Sequence, residues 1–138
     1  MRMLGMLAGA VASLAMSGAA RAGIVARVDN ATQTMRVYVD GGLAFVWSVS
    51  TARPGFRTPA GRYRVRRMER MWHSRKYDWA PMPNALFFHG GYAIHGTGAV
   101  GRLGRPASHG CVRLAPGNAR LLFEMVGAYG GAQVVVTN

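Results

Sequence analysis

The sequence predicts a mainly β, single compact domain: a sandwich or half-barrel of short strands with one helix near its C-terminus. Three observations predict it. Short runs alternate apolar and polar residues, or are rich in β-branched and aromatic ones, as half-buried strands are. Turn signals drawn from 19 glycines and 6 prolines separate these runs at short intervals. Only one stretch, close to the C-terminus, carries apolar residues at helical spacing.

Taken in order, Ile24 to Val28 and Thr34 to Val39 alternate, with Asp29-Asn30 as the turn between them. Asp40-Gly41-Gly42 then turns into a third strand, Leu43 to Val49. Two prolines and two glycines make residues 53–61 a loop. Alternation returns over Arg62 to Arg67, where Tyr63 and Val65 face one way and Arg62, Arg64 and Arg66 the other. Met68 to Pro83 reads as irregular, rich in aromatic and basic residues, and open to acting as a lid. Ala85 to Phe88 and Tyr92 to His95 flank His89-Gly90-Gly91 as a hairpin. Gly96 to Ala107 is a loop with four glycines. Leu121, Leu122 and Met125 give helical spacing over Pro116 to Ala128, with Gly127 and Gly130-Gly131 as stops. Gln133 to Thr137 is the last strand. No internal repeat or linker divides the chain.

Length and composition bound the function. A chain of 138 residues has room for one domain and predicts no second folded module. Hydrophobic residues make up 50% and charged residues 16%, enough apolar material for a core and a poor match to disorder. One cysteine excludes an intramolecular disulfide framework and a multi-cysteine metal site. The formal charge is +12, carried almost wholly by arginine. That bias alone does not make a nucleic-acid binder.

Residues 1–22 read as a secretory signal peptide. Arg2 supplies the positive start, Met3 to Met16 an uncharged apolar stretch, and Ala20-Arg21-Ala22 a small-x-small cleavage pattern. The stretch is short for a spanning helix, which needs about 20 residues. No cysteine near the cleavage site offers a lipid attachment point, so no stable membrane anchor is expected. The mature domain is expected to be residues 23–138, exported to the periplasm or cell wall. Without Arg2 and Arg21 it keeps 15 basic and 5 acidic residues, about +10.

Export sharpens the reading of the cysteine. An unpaired cysteine in an oxidising compartment is an accident, an intermolecular link or a working thiol. Cys111 lies in Ser108-His109-Gly110-Cys111-Val112-Arg113-Leu114, a turn-like sequence beside a histidine and an arginine rather than an apolar interior. A thiol is mostly protonated at neutral pH and needs a base or a positive field to react. His89, His95 and His109 are the candidate bases. His95 ends a strand, and the glycines at 96, 98, 101 and 104 let the chain return so that Cys111 can lie beside it. Gly110 would let the amides of Gly110 and Cys111 face a developing oxyanion. With no carboxylate nearby, a backbone carbonyl or a hydroxyl such as that of Ser108 must orient the base. Arg113 can receive a substrate carboxylate.

These residues resemble a known pattern. Tyr92-Ala93-Ile94-His95-Gly96-Thr97, a glycine-rich loop, then Ser108-His109-Gly110-Cys111-Val112-Arg113-Leu114 are similar to the signature of the L,D-transpeptidase catalytic domain (YkuD-like). Val49-Ser50-Thr51-Ala52 with Thr58-Pro59-Ala60-Gly61, and Met82-Pro83-Asn84-Ala85-Leu86-Phe87-Phe88, resemble further parts of that family, so the likeness covers about residues 24–137. It implies β-sandwich-like mixed sheets with one C-terminal helix. It also implies Cys111 as nucleophile and His95 as general acid/base, held through its other ring nitrogen by a backbone carbonyl, that of Gly96. His109, Gly110 and Cys111 would form the oxyanion-binding turn, with Ser108 and Arg113 supporting it or holding substrate. The implied reaction is acyl transfer between peptidoglycan stem peptides, donor and acceptor, through a thioester and without metal or cofactor; water as acceptor would make it a carboxypeptidase. Some family members carry Asn where this chain has Arg113.

Each of these residues also has a plainer reading. His89 is also followed by glycine, but its hairpin-turn position favours solvent exposure. His73 fits a surface or cleft residue. A zinc site from His89, His95, His109 and Cys111 lacks standard spacing and a carboxylate second shell. Arg62, Arg64, Arg66, Arg67 and Arg70 fit a solvated face. The alternative class is a basic, non-enzymatic exported protein that binds an anionic polymer such as nucleic acid or a membrane surface. Such a protein has no need of Ser-His-Gly-Cys.

Overall fold

The computed structural model describes residues 23–138; the signal-peptide reading falls on residues outside that range. Alternation sets the first sheet. β1 (Ile24–Asp29) buries Ile24, Ala26 and Val28 and exposes Arg27, and β2 (Thr34–Val39) buries Met35 and Val37 and exposes Arg36. β3 (Gly42–Ser48) forms an edge, with Phe45 and Trp47 stacked 5.0 Å apart against the core. β4 (Gly61–Arg64) and β9 (Gln133–Thr137) complete the sheet in the order β3-β2-β1-β9-β4. β1 and β9 run parallel and the other pairs antiparallel, so the sheet is mixed.

The second sheet carries β5 (Arg67–His73), β6 (Pro81–His89), β7 (Tyr92–Gly96) and β8 (Val112–Leu114) in that order. β7 and β8 are parallel. The chain crosses between sheets within two residues: Val65 N–H donates to Ala132 O of the first, and Arg66 N–H to Phe87 O of the second. The predicted strand Arg62 to Arg67 is therefore two strands meeting at a corner.

The irregular reading of Met68 to Pro83 is corrected: most of it is a hairpin of β5 and β6. Two features hid it. β5 is an edge strand with little alternation, whose Arg67 lies over the rings of Trp72 and Phe87 at 4.5 and 4.2 Å. Pro81 and Pro83 look like breakers, yet β7 pairs only from Leu86 onward, so that half of β6 is itself an edge. β8 was also missed, because three residues are too few for a periodic signal.

The helix α1 (Pro116–Tyr129) starts with proline in its first turn and ends at Gly130, whose φ of +75° suits glycine. Its buried stripe is Ala119, Leu122, Phe123 and Val126; Leu121 is exposed, and Gly127 does not stop the helix. α1 packs over β6, β7 and β1 and closes one continuous core with Phe88, Ile94, Val112 and Leu114. No helix among the described residues is long and apolar enough to cross a membrane.

Candidate active site

The parallel pairing of β7 with β8 builds the site. Ile94 is in register with Val112 and His95 with Arg113, so Cys111, one residue before Val112, stands level with Ala93. Side chains in register share a face. Ile94 and Val112 point into the main core, which sends Ala93, His95, Cys111 and Arg113 to the opposite face. There Cys111 packs against a small second cluster of Met82, Ala85, Phe87 and Ala93. Residues 16 positions apart in sequence thus meet through one short ladder.

His95 is 6% exposed, and its Nδ1 lies 2.7 Å from the carbonyl oxygen of Gly96. That carbonyl accepts, which places the proton on Nδ1 and leaves Nε2 with a lone pair. Burial pulls the imidazole down to about 4, further helped by the Arg113 charge and opposed by the Gly96 bond. Gly96 is tightly enclosed: an added Cβ would sit 3.3 Å from both Ala119 Cβ and Pro83 Cγ, so a neighbour would have to give by a few tenths of an ångström. The backbone that orients His95 is therefore wedged under the start of α1.

The Cys111 thiol is pushed up by desolvation, against lowering contributions from the Ala93 backbone and from Arg113. Its hydrogen-bond partner is Gly91 O at 3.8 Å. The pair at rest is a neutral thiol and a neutral imidazole.

The turn before the thiol is tied from inside. Ser108 is 1% exposed; its Oγ donates to Cys111 O at 2.6 Å and accepts from Gly110 N–H at 3.0 Å. This corrects the expected pair of oxyanion donors, because the Gly110 amide is spent on Ser108. Among the described residues the amides of His109 and Cys111 have no hydrogen-bond partner, and they are the donors left to the turn. Gly110 has φ +139°, and an added Cβ would lie 2.5 Å from Tyr92 Cε1 and 2.9 Å from Arg57 O.

Buried polar residues fasten this turn to the first sheet's end. Thr58 Oγ1 donates to Gly110 O at 2.8 Å and accepts from Ala52 N–H at 3.0 Å. Gln33 grips the neighbouring Thr51 through its backbone N–H and its hydroxyl. Ser50 and Arg113 exchange backbone hydrogen bonds. Sequence reading missed Gln33, which carries no motif. Thr58 was visible only as part of a turn.

The remaining candidates separate from the thiol. His89 is exposed, 4.9 Å from the Tyr63 ring and stacked at 6.0 Å on Tyr92. His73 is exposed at the end of β5. The His109 ring stacks 4.0 Å from Tyr77 and meets Phe56 edge-on at 4.7 Å, so the β5–β6 hairpin end reaches the turn that precedes Cys111. Partial burial and then Arg53, Arg113 and Lys76 lower its pKa. Among the described residues no three His, Cys, Asp or Glu side chains converge as metal ligands. Arg113 is half-buried, with Nη1 3.5 Å from Ala107 O.

The sequence matches the family model of the L,D-transpeptidase catalytic domain (YkuD) over residues 23–136. Among solved structures the chain is similar to an L,D-transpeptidase from Stackebrandtia nassauensis, with 31% identity and a TM-score of 0.75, covering 84% of this chain and 56% of that one. An L,D-transpeptidase from Mycobacterium smegmatis shares 26% identity at a TM-score of 0.75, covering 83% and 58%. One from Xylanimonas cellulosilytica shares 26% at 0.74, covering 84% and 61%. The chain thus spans less than two thirds of the length of these solved chains. No curated protein matches it in sequence. A family match across nearly all the described residues, on a fold these structures share, means that this chain belongs to the L,D-transpeptidase catalytic domain (YkuD) family.

Proposed function

We propose that this protein is an exported cysteine L,D-transpeptidase that acts on peptidoglycan stem peptides, with residues 23–138 as its catalytic domain. The observation that carries the reading is the placement of Cys111 and His95 on one face of adjacent parallel strands, with His95 Nδ1 engaged by Gly96 O and Nε2 left over.

The chemistry follows from that placement. The thiol leaves Gly91 O and gives its proton to His95 Nε2 as sulfur attacks the carbonyl carbon of the L-centre that precedes a D-residue. Because both partners are neutral at rest, the proton moves only when a carbonyl is there to consume the thiolate. The His109 and Cys111 amides stabilise the tetrahedral oxyanion. The C–N bond then breaks, His95 returns its proton to the departing amine, and a thioester remains on Cys111. An amine from a second stem attacks the thioester, His95 takes the amine's proton, and the thiol is regenerated. A free D-amino acid as acceptor exchanges the terminal residue, and water yields the shortened stem. Arg113 holds a substrate carboxylate in this reading, which its register with His95 supports.

Mature protein incubated with purified disaccharide-tetrapeptide tests this by mass spectrometry. Cross-linked dimer, exchanged product or shortened stem should form, with a transient acyl-enzyme on Cys111. Cys111→Ala should abolish all of them. Turnover by the alanine variant would overturn the proposal, and so would an inert wild-type protein.

A further inference from the structure

The loop that returns the chain from His95 to Cys111 builds a second feature. Arg53, Arg102, Arg105, Pro106 and Ala107 line a pocket of about 340 Å³, and Ala107 adjoins Ser108 of the catalytic turn. Three arginines line this pocket and no acid does. The ion pairs of the described residues lie elsewhere, joining Arg67 to Glu69 and both Arg70 and Arg120 to Glu124. Arg53 lies 4.9 Å over the Phe56 ring, and Arg105 Nη2 donates to Gly101 O at 3.2 Å. Most of the five N–H donors on each guanidinium remain unspent.

Like charges gathered without a counter-charge repel, so something else must hold them. The backbone does. Gly104 N–H donates to Val49 O, Ala107 N–H to Thr51 O and Arg53 N–H to Ser108 O, while Ser50 Oγ donates to Arg102 O at 2.7 Å. The backbone that carries these exposed arginines is therefore held by the same strand end that supports the thiol's turn. The positive field also reaches the site: Arg102 and Arg53 both act on Arg113, and Arg53 acts on His109. An anion seated in the pocket would relieve the repulsion, and planar guanidinium forks match a carboxylate with two parallel hydrogen bonds. The volume exceeds that of a lone carboxylate and suits a peptide residue that bears one.

We propose that the Arg53–Arg102–Arg105 pocket is a carboxylate subsite, binding a stem-peptide carboxylate away from the scissile bond and so setting how the peptide lies across Cys111. The proposal rests on the transpeptidase reading above and deepens it. It also separates two tasks among the arginines. Arg113 serves the face of the thiol, whereas the pocket holds a more distant part of the same chain.

Direct binding tests it. In the Cys111→Ala protein, where no chemistry intervenes, a tetrapeptide stem and the same peptide with its internal carboxylates amidated are titrated by calorimetry. The free carboxylate form should bind about tenfold more tightly, the scale of one charge-assisted pair. Adding Arg102→Gln and Arg105→Gln should erase that preference and leave the affinity for the amidated peptide unchanged, whereas unfolding would weaken both. Arg105→Lys, which keeps charge but not the fork, should retain part of it. Equal binding of the two peptides to Cys111→Ala would overturn the subsite, as would a preference that survives the double substitution. Acyl-enzyme formation by the wild type is read separately. If no thioester forms while the preference stands and needs these arginines, the chemistry fails and the subsite holds.

Discussion

Ser108→Ala tests the turn most directly. The substitution removes one oxygen that makes two hydrogen bonds, to Cys111 O at 2.6 Å and from Gly110 N–H at 3.0 Å, at a site 1% exposed. An orphaned buried polar group costs about 1–3 kcal/mol. Gly110 is buried and bears that in full, whereas Cys111 is half-buried and its carbonyl can recruit water. The net loss should be about 2–4 kcal/mol. At about 3–4 °C per kcal/mol for a domain of this size, the melting temperature should fall by roughly 6–16 °C. Calorimetry reads this, with Ser48→Ala on the exposed edge strand as control. Turnover should fall at least about tenfold, because the freed Gly110 amide no longer holds the turn in place. A melting temperature within about 1 °C of wild type would refute the hydrogen-bond reasoning. A large drop in melting temperature with unchanged turnover would show that the bonds serve the fold alone.

Gly110→Ala should be worse than a cavity mutant, since the new methyl meets Tyr92 and the rigid Arg57 carbonyl and φ is +139°. Turnover should be lost and stability lowered by several kcal/mol, of which Tyr92→Leu recovers only part; full recovery would mean the backbone is not constrained. Lowering pH should destabilise the fold through His95. Its folded pKa of about 4 is below the ordinary 6.5, so the unfolded chain takes up a proton first. The stability this group contributes is whole above pH 6.5 and drains as pH falls to about 4, by up to about 3 kcal/mol. His95→Asn should flatten that limb of the stability curve, and an unchanged slope would count against neutral burial. Arg113→Gln removes a charge that lowers the Cys111 thiol, so iodoacetamide alkylation at neutral pH should slow several-fold and its pH profile move upward. A profile that stays put or moves down would reject that coupling.

Much of the fold was legible because it rests on local pattern. β1, β2, β7, β9 and α1 sit within a residue or so of their sequence assignments, since alternation with a buried face, proline at the helix start and glycine at its end act at short range. The errors also have local causes. β5 alternates poorly because it is an edge, β6 carries prolines that its own edge tolerates, and Leu121 lies at helical spacing on the wrong side of the stripe. Gln33 could not be found, because its value lies in reaching Thr51 across 18 residues.

The sequence alone determined that Cys111 is the lone thiol, that three histidines each followed by glycine precede it, and that the whole stretch reads as one domain of a recognisable family. The sequence already favoured His95 over His89, and only the tertiary structure decided how His95 comes to share the thiol's face. A parallel ladder of three residue pairs puts His95 level with Arg113 and on the same face as Cys111, while His89 and His109 stack on aromatic rings. It also decided that the Gly110 amide belongs to Ser108 and that Arg53 joins Arg102 and Arg105 around one pocket. The physical reason is the same in each case. Register and long-range hydrogen bonds join residues far apart in the chain, and neither leaves a periodic trace in sequence.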